Sequence, residues 1–353
     1  MTTKNQVLAR LEKERGSLIS GSELAKALGV SRNAVWKAIK ELQKEGYRID
    51  SQTNGGYRLR EDNDILSAAG IAPYLQVDIA PTNIQVFPSL NSTNDLAKEK
   101  ALAGAAAGTV ILAEEQTKGK GRMGRSYYSP AGAGIYLSMI LRPKLAGSQA
   151  LLLTTGVAVA AAQAIEELWD CRVKVKWVND LYVEGKKIAG ILTEAATNWE
   201  TGIVDHVVLG VGINVRSSRE GFPMELAHKA GFLCPEEPAA ADEDANPDQK
   251  QQPGGKLLRN PLAAALINHI WQMAKSLEEQ PEPAAAELIN EARRRSCVLG
   301  KQVLIEGYAG LDQAKAVDIN EWGFLIVEDQ QGCRHILNTG EISLRNQEGQ
   351  SWQ

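Results

Sequence analysis

The feature that most constrains the fold is a series of helix-forming runs with marked ends near the start of the chain. A first run has apolar residues at helical spacing. A second, residues 23–28, follows Ser22 as its predicted cap and ends at Gly29, and a third, residues 32–45, follows Ser31. Serine oxygens cap free amide groups at a helix start, and glycine accepts the left-handed conformation that often follows a helix end. The pattern predicts three short packed helices.

Two strand-like runs, residues 47–50 and 56–59, follow these helices. Asn54 and Gly55 stand between the runs, and both residue types tolerate the positive φ of a tight hairpin turn. Helices joined at a glycine and followed by a hairpin predict a winged helix-turn-helix domain over residues 1–63.

Charge is distributed unevenly along the chain. The net charge of the 353 residues is −4, but residues 1–62 hold twelve Lys or Arg against eight Asp or Glu, which leaves the rest at −8. A basic module on an acidic body indicates nucleic-acid binding by the module alone. We predict DNA contacts along the third helix, with Trp36 in the core, and keep a small protein-binding helical domain as the alternative. The candidate DNA-binding residues are Ser31, Arg32, Asn33, Lys37 and Lys40.

The remaining chain is too long for one ordinary domain. Strand and helix patterns follow each other irregularly over residues 64–295, which predicts a mixed-sheet α/β domain rather than a repeating βαβ array. Within it, residues 235–256 lack core-forming side chains and predict a disordered insertion. Short strands over residues 296–346 predict a small β-barrel. The expected fold class is therefore α+β with three domains.

Several classes of protein are excluded by what the sequence lacks. No run reaches the roughly 18 apolar residues of a membrane span, and the polar start has no signal-peptide pattern. The four cysteines form no CxxC pair, so neither a disulfide framework nor a zinc site is expected. The cytosol is the expected compartment.

The most unusual segment runs from Gln116 to Arg125. It contains three glycines, no acid and four cations, which are Lys118, Lys120, Arg122 and Arg125. Glycine lets a backbone approach a ligand closely, and cations neutralise phosphate. The segment predicts an anion-binding loop that repels itself and stays mobile until an anion orders it, and a solvated basic loop is the alternative.

A second segment predicts a lysine beside a carboxylate. Glu184-Gly185 fits a two-residue hairpin loop that pairs Val183 with Lys186 and Tyr182 with Lys187. This register brings Lys187 within reach of Asp180 on the neighbouring strand. The pair is suited to polarise a reacting group, and the alternative is a surface ion pair worth under ~1 kcal/mol.

Two further motifs are weaker alone. Ser92 and Asp95 fit a capping box at a helix start, where hydroxyl groups can also bind a ligand. Gly210 and Gly212 lie near the end of an apolar strand and permit close approach of a ligand.

The set of motifs resembles the bifunctional biotin–protein ligases that also repress biotin synthesis. The matching pieces, in order, are the winged helix, Ser92-Thr93-Asn94, the loop 119–125, Ser129-Pro130, the runs 135–138, 176–180, 187–190 and 212–214, and the terminal run 340–344. The resemblance covers nearly the whole chain outside 235–256. It implies a class II synthetase-like ligase domain and an SH3-like C-terminal barrel.

The resemblance also implies an activity and its partners. The family joins biotin to ATP, giving biotinyl-5′-adenylate and pyrophosphate, and then passes the biotinyl group to a lysine of a carboxylase's biotin carrier domain. Magnesium as a cofactor, operator DNA, homodimerisation on adenylate binding and no membrane partner follow from the same resemblance.

Site residues are carried over position by position from the family's motifs. The implied catalytic residues are Lys187, Arg122 and Asp180, with Asp180 also the implied magnesium ligand. The implied biotin-binding residues are Ser92, Thr93, Asn94, Gln116, Gly119, Lys120, Gly121, Arg122, Lys187 and Gly190. The implied nucleotide-binding residues are Arg122, Arg125, Tyr127, Lys176, Asn179 and Asn214.

This sequence departs from the family pattern at several positions. Lys120 stands where the family often has Arg, Tyr127 where it often has Trp, and Val178 where Pro is usual. Lysine binds phosphate as a point charge without bidentate geometry, and tyrosine still offers a ring to stack on adenine.

Two alternatives to the enzyme–repressor hypothesis remain open at the level of sequence. One is a ligand-sensing transcription factor that has lost catalysis, against which Lys187, Arg122 and Asp180 argue. The other is a related lipoate-type ligase, which competition between biotin and an acid without the ureido ring would reveal.

Overall fold

The first unit of the structure is a three-helix bundle with a two-stranded wing. The computed structural model describes residues 2–52, 55–143, 150–197, 204–218, 221–234, 259–308, 310–338, 341–345 and 351–352. The elements of the first unit are α1 (Thr3–Lys13), α2 (Gly21–Leu28), α3 (Arg32–Lys44), β1 (Ile49–Gln52) and β2 (Gly56–Leu59). Because β1 and β2 pair antiparallel, the predicted winged helix-turn-helix is confirmed. Asn54 of the predicted turn lies outside the described residues.

One of the predicted helix caps is wrong. Gly29 ends α2 at a φ of 65°, and Ser31 Oγ accepts a hydrogen bond from Ala34 N at 3.1 Å, as predicted. Ser20, rather than Ser22, caps α2, because its Oγ accepts from Glu23 N at 3.0 Å. The helix consequently begins at Gly21, and Ser22 lies inside its first turn.

The prediction that Trp36 lies in the core is also wrong. The buried face of α3 consists of Val35, Ala38, Ile39 and Leu42. These four positions complete the helical stripe that packs on α1 and α2, so Trp36 points to the opposite side and is 49% exposed.

The second unit is built on a seven-stranded mixed sheet. Its strands are β3 (Ile84–Phe87), β4 (Val110–Ala113), β5 (Gly134–Leu141), β6 (Lys174–Lys176), β7 (Asp180–Val183), β8 (Lys186–Thr197) and β9 (Val204–Asn214). Their order is β3-β4-β5-β9-β8-β7-β6, and only β3 and β4 pair parallel. The predicted mixed sheet is therefore confirmed, and the apolar runs 110–113 and 134–141, which by sequence predict strands, form β4 and β5 with those bounds.

Helices cover both faces of this sheet. They are α4 (Ala68–Ile71), α5 (Thr93–Leu102), α6 (Ala150–Leu168), α7 (Met224–Ala227), α8 (Arg259–Glu279) and α9 (Pro281–Arg295). Ile111, Ile140 and Val208 pack under α5, whereas alternate residues of the same strands join the large core with α6 and α8. Since side chains alternate along a strand, the even-numbered residues within 134–140 of β5, 190–194 of β8 and 208–214 of β9 face the α5 side. The predicted insertion at 235–256 lies outside the described residues, and so does Ser148, which the sequence predicts as the cap of a helix over residues 149–169.

The prediction that no segment is long and apolar enough to span a membrane is wrong for helix α6. Leu151–Leu168 is long and apolar enough by composition, with a mean hydropathy of 1.4. However, 72% of this window is buried inside the protein, against α8 and α9. The helix is the core helix of the second unit.

The third unit is an antiparallel sheet. Its strands are β10 (Gln302–Glu306), β11 (Gln313–Ile319), β12 (Leu325–Glu328), β13 (Arg334–Leu337), β14 (Glu341–Arg345) and β15 (Ser351–Trp352), in the order β13-β12-β11-β10-β14-β15. The all-β character predicted for this region is confirmed, and in the described part of the chain the edge strands β13 and β15 do not pair with each other. Trp177 Nε1 donates to the Gly323 carbonyl oxygen at 2.9 Å and fixes this sheet to the second unit.

A buried ion-pair network anchors the residues that directly follow the first unit. Arg259, which is 4% exposed, contacts Asp64 Oδ2 at 3.1 Å and Glu114 Oε2 at 2.6 Å. Arg216 reaches the same Asp64 carboxylate at 2.6 Å, and Leu66 N donates to Glu114 Oε1 at 2.8 Å. Residues that directly follow the winged helix are thereby held on the end of the central sheet.

Candidate functional site

The floor of the site is a row of residues that crosses five strands. The strand register aligns Tyr136 with Gly212, Gly212 with Gly190, Gly190 with Asp180, and Asp180 with Lys176. All five lie on the α5 side of the sheet, where the two glycines leave open space in the middle. The row places an aromatic ring at one end and a carboxylate and a cation at the other.

Tyr127 lies over the glycines of this row. Its hydroxyl donates to the Gly212 carbonyl oxygen at 2.8 Å and lies 3.2 Å from Asn214 Oδ1. A methyl group at Gly212 would approach Tyr127 Cε1 to 2.5 Å, so glycine is required under the ring. Burial raises the pKa of the Tyr127 hydroxyl well above its usual value, which keeps the group neutral.

A cluster of buried polar groups lies at the start of α5. Gln116 Oε1 accepts from Thr93 N at 2.8 Å and from Thr93 Oγ1 at 3.1 Å. Ser138 Oγ lies 2.5 Å from Asn94 Oδ1, and Ser92, Thr93 and Asn94 are each only 3% exposed. Buried polar groups that converge on a cavity are suited to hydrogen-bond a small polar ligand.

The capping box predicted at this helix start does not form. Ser92 holds the N-cap position, but its side chain makes no capping hydrogen bond. Asp95 instead contacts Lys98 at 3.2 Å and Lys120 at 2.7 Å. Burial opposes ionisation of Asp95, but hydrogen bonds from Lys120 and Lys98 outweigh it and lower the pKa of this carboxyl.

The basic loop is tied back on itself and on the sheet. Gly121 N donates to the Arg125 carbonyl oxygen at 2.7 Å, and Arg122 Nη1 donates to Asn179 Oδ1 at 3.2 Å. With Lys120 paired to Asp95, at least two of the four cations have polar partners without an added anion. This pairing reduces the mutual repulsion that the sequence predicts for the loop.

The lysine–carboxylate pair predicted from the hairpin is present. Val183 pairs with Lys186 and Tyr182 with Lys187, as the two-residue loop predicts. Lys187 Nζ lies 2.6 Å from Asp180 Oδ1, with side-chain exposures of 34% and 20%. The pair is therefore partly buried, where charges interact more strongly than at an open surface.

These groups surround one cavity of about 600 Å³, a volume suited to a nucleotide with a small acid. Of the ligand-binding residues predicted from sequence, all of which are described, Gly119 alone does not line it. The lining residues among them are Ser92, Thr93, Asn94, Gln116, Lys120, Gly121, Arg122, Arg125, Tyr127, Lys176, Asn179, Asp180, Lys187, Gly190 and Asn214. Gly119 lies against Tyr127, since a methyl group there would approach the Tyr127 carbonyl oxygen to 2.4 Å.

Two parts of the lining were missed by the sequence analysis. Leu304 and Glu306 of β10 reach the cavity from the C-terminal sheet, and no local pattern marks them. Phe222 also lines it, and its ring stacks on Phe232 at a centroid distance of 4.1 Å. The sequence does carry one signal for Phe222 and Phe232, since two phenylalanines lie ten residues apart in a chain with few aromatic residues.

The predicted DNA-binding residues lie together on the winged helix, far along the chain from the cavity residues. Arg32, Asn33, Lys37 and Lys40 are all exposed on α3, and Ser31 caps the same helix. This exposed face of α3 is called the α3 face below. Such a face is suited to a polyanion.

The chain is similar to known ligases over nearly its full length. The model of the biotin/lipoate A/B protein ligase family matches residues 86–214, and a helix-turn-helix domain model matches residues 3–58. The chain is 38% identical to the bifunctional ligase/repressor BirA of Bacillus subtilis, over 96% of this chain and 97% of that protein. It is 30% identical to the BirA of Escherichia coli, over 94% and 95% respectively.

A solved structure agrees with these sequence relatives. The biotin protein ligase from Aquifex aeolicus in complex with biotin and ATP is 27% identical, with a TM-score of 0.57, and the match covers 75% of this chain and 99% of that one. Since two bifunctional relatives match nearly end to end, and this chain matches both a ligase and a helix-turn-helix model, the chain belongs to the family of the bifunctional ligase/repressor BirA.

Proposed function

We propose that this chain joins biotin to ATP in the cavity and transfers the biotinyl group to a lysine of a carboxylase's carrier domain. The observation that carries the proposal is the partly buried Lys187–Asp180 pair. It lies at the charged end of the floor that Gly190 and Gly212 form, beside the neutral Tyr127. The same chain represses transcription through its winged helix. The relatives in Bacillus subtilis and Escherichia coli are named as both ligase and repressor, which supports both halves.

The first step brings two anions together, so it needs positive charge. A biotin carboxylate oxygen forms a bond to the α-phosphorus of ATP, the bond to the β-phosphate oxygen breaks, and pyrophosphate leaves. Lys187 and Arg122 stabilise the charge on the α-phosphate and the approaching carboxylate. Neither a serine nor a cysteine nucleophile is required.

The buried polar cluster at the start of α5 would hold the biotin ureido ring. Ser92 and Thr93, which are buried, and Gln116, which is partly buried, supply donors and acceptors. Away from water, such a hydrogen bond discriminates strongly between ligands. Asn94 is held by Glu194, whose Oε2 accepts from Asn94 Nδ2 at 2.9 Å. Gly190 gives the ring system room on the floor.

The nucleotide would occupy the part of the cavity that Tyr127 and Asn214 line. Tyr127 offers its ring to adenine, and Asn214 offers its amide to the adenine edge. Arg125, Lys176 and Asn179 then face the phosphates.

Magnesium fits this end of the site. In the described residues no three His, Cys, Asp or Glu side chains cluster, and Asp180 is the carboxylate of the floor row. One carboxylate together with substrate phosphates is the usual way a protein holds Mg²⁺, which supplies charge neutralisation when bound. We therefore assign Asp180 as its protein ligand.

The second step uses the same pair of residues. The acceptor lysine amine attacks the biotinyl carbonyl carbon, the bond to the AMP oxygen breaks, and Asp180 accepts the amine proton. Water must be kept from the mixed anhydride, and the basic loop covers the cavity for this purpose. Arg122, bound to Asn179, holds the loop against the sheet.

The repressor half requires two copies of the chain. A helix-turn-helix reads paired half-sites, so we infer that adenylate binding favours a homodimer. Ser31, Arg32, Asn33, Lys37 and Lys40 would contact the operator. Because ATP and operator DNA are intracellular, we assign the chain to the cytosol. We further propose that the C-terminal sheet is an SH3-like barrel in solution and the central domain a class II synthetase-like fold.

A mass measurement tests the ligase. The chain, biotin, ATP and a biotin carrier domain are incubated, and the carrier should gain the mass of one biotinyl group on one lysine. No gain in mass would refute the ligase and favour a transcription factor without catalysis. In a pyrophosphate-release assay, lipoic acid outcompeting biotin would instead show a lipoate-type ligase.

A further inference from the structure

The cations of the α3 face differ from most other cations of the winged helix. Elsewhere in the described part of this module, ion pairs hold six of the eight cations, namely Lys4, Arg10, Arg15, Arg48, Arg58 and Arg60, but not Lys13 and Lys26. Within residues 2–52 and 55–62, the four cations of α3 form no ion pair; they are Arg32, Lys37, Lys40 and Lys44. Lys40 Nζ instead contacts Gln43 Oε1 at 3.2 Å. The α3 face therefore keeps its positive charge for an external anion.

Trp36 lies in the middle of this charged face. In a helix its nearest surface neighbours are three and four residues away, namely Arg32, Asn33 and Lys40. The side chain is 49% exposed, whereas Trp177 of the central domain is 6% exposed. An indole left this open contributes little to the core of its own domain, which the opposite face of α3 supplies.

We propose that Trp36 reads thymine in the operator, through apolar contact between its indole ring and the thymine C5-methyl group. The inference rests on the proposed repressor function. A recognition helix lies in the major groove with its first turns against the base edges, and Trp36 is the fifth residue of α3. The thymine methyl is the apolar group exposed on those edges, so it is the partner that an indole ring finds there.

The cations on either side fix the position of the ring. Lys37 and Lys40 contact phosphates, which sets the register without reading sequence. Trp36 then adds selectivity at one base pair of each half-site. Burying one methyl group against an apolar surface corresponds to about a fourfold change in affinity.

Removal of that methyl group tests the proposal. The full chain, with biotin and ATP, is used to enrich binding duplexes from a random pool. In the best duplex, each thymine of a half-site is replaced in turn by uracil, which lacks only the C5-methyl group. One position per half-site should cost the wild type about fourfold in affinity, and Trp36→Ala should show no loss at that position.

Two control variants separate this role from others. Trp322→Ala removes an indole that is 42% exposed on the C-terminal sheet, and it should keep the uracil penalty. Lys37→Ala should weaken binding to all duplexes equally and reduce the salt dependence. Unfolding curves check that Trp36→Ala is folded.

Three outcomes would overturn the proposal. The first is an equal uracil penalty in the wild type and Trp36→Ala, and the second is no penalty at any thymine. The third is a change in oligomeric state of Trp36→Ala with the penalty retained, which would assign Trp36 to a protein interface. If the wild type enriches no duplex, the repressor function itself fails, and this result is distinct from the other three.

Discussion

Replacing Lys187 by alanine gives the sharpest test of the ligase chemistry. Lys187 Nζ lies 2.6 Å from Asp180 Oδ1 at the charged end of the floor. Removing one preorganised hydrogen-bond donor from a developing anion costs about 2.7–4 kcal/mol, or 10²–10³ in rate. We therefore expect Lys187→Ala to slow adenylate formation by about 10²–10³-fold, with biotin binding partly retained because the α5 cluster is unchanged.

A second substitution is not expected to reverse this loss. In Lys187→Ala the Asp180 carboxylate still serves as the proposed magnesium ligand beside the phosphates. Lys187→Ala combined with Asp180→Ala should therefore form adenylate no faster than Lys187→Ala alone. Transfer from purified biotinyl-5′-adenylate should remain slow in the double variant, because no group accepts the amine proton.

Separate assays distinguish the two steps. Pyrophosphate release in a single turnover reports adenylation, and the mass of the carrier domain reports transfer. Lys186→Ala is the matched control, since Lys186 Nζ donates to the His228 carbonyl oxygen at 2.7 Å and does not line the cavity. Adenylation by Lys187→Ala within about threefold of the wild type would refute the reasoning.

Three further predictions concern the loop, the floor and the thiols. Arg122→Gly should release the adenylate early, because the 3.2 Å contact of Arg122 with Asn179 is lost. The released adenylate should attach biotin to albumin added to the reaction, whereas labelling of the carrier domain alone would contradict the prediction. Gly212→Ala should raise the KM for ATP about tenfold, because its added methyl group would lie 2.5 Å from Tyr127 and overpacking costs ~1–3 kcal/mol. Gly190→Ala should raise the KM less, because its methyl group would lie 3.3 Å from Tyr127. Equal KM values in both variants and the wild type would count against the role of the glycine floor. Burial raises the pKa of Cys171 to about 11, so this thiol is protonated at pH 8 and should react with iodoacetamide more slowly than exposed Cys333. Peptide mass spectrometry should show its rate rising toward pH 11, and a rate independent of pH would refute the assignment.

Parts of the site that depend on local geometry could be predicted from sequence. A two-residue hairpin loop fixes which residues oppose each other, so the Lys187–Asp180 pair followed from Glu184 and Gly185. Ser31 was identified as a cap because a cap depends on only a few consecutive residues. The central strands were found because strands buried on both faces form continuous apolar runs.

Features that depend on distant contacts could not be predicted. The row from Tyr136 to Lys176 requires the pairing of β5, β9 and β8, which no local signal specifies. Leu304 and Glu306 reach the cavity only because the C-terminal sheet docks at Trp177. Trp36 was assigned to the core by residue type, but the packing stripe of α3 was already complete without it.

The overall charge is a poor guide to the anion sites of this protein because carboxylates neutralise many of its cations. Six of the twelve Lys and Arg residues in positions 1–62 form ion pairs in the structure, so the net charge of this module does not itself locate the DNA-binding surface. The cations of α3 do locate it, since they lie together and have no carboxylate partner in the described module. At the ligase site the opposite arrangement holds, because Lys187 is paired with Asp180 and Lys120 with Asp95. Phosphate there must compete with carboxylates for each lysine, so ATP affinity should depend on how well the substrate displaces these internal partners.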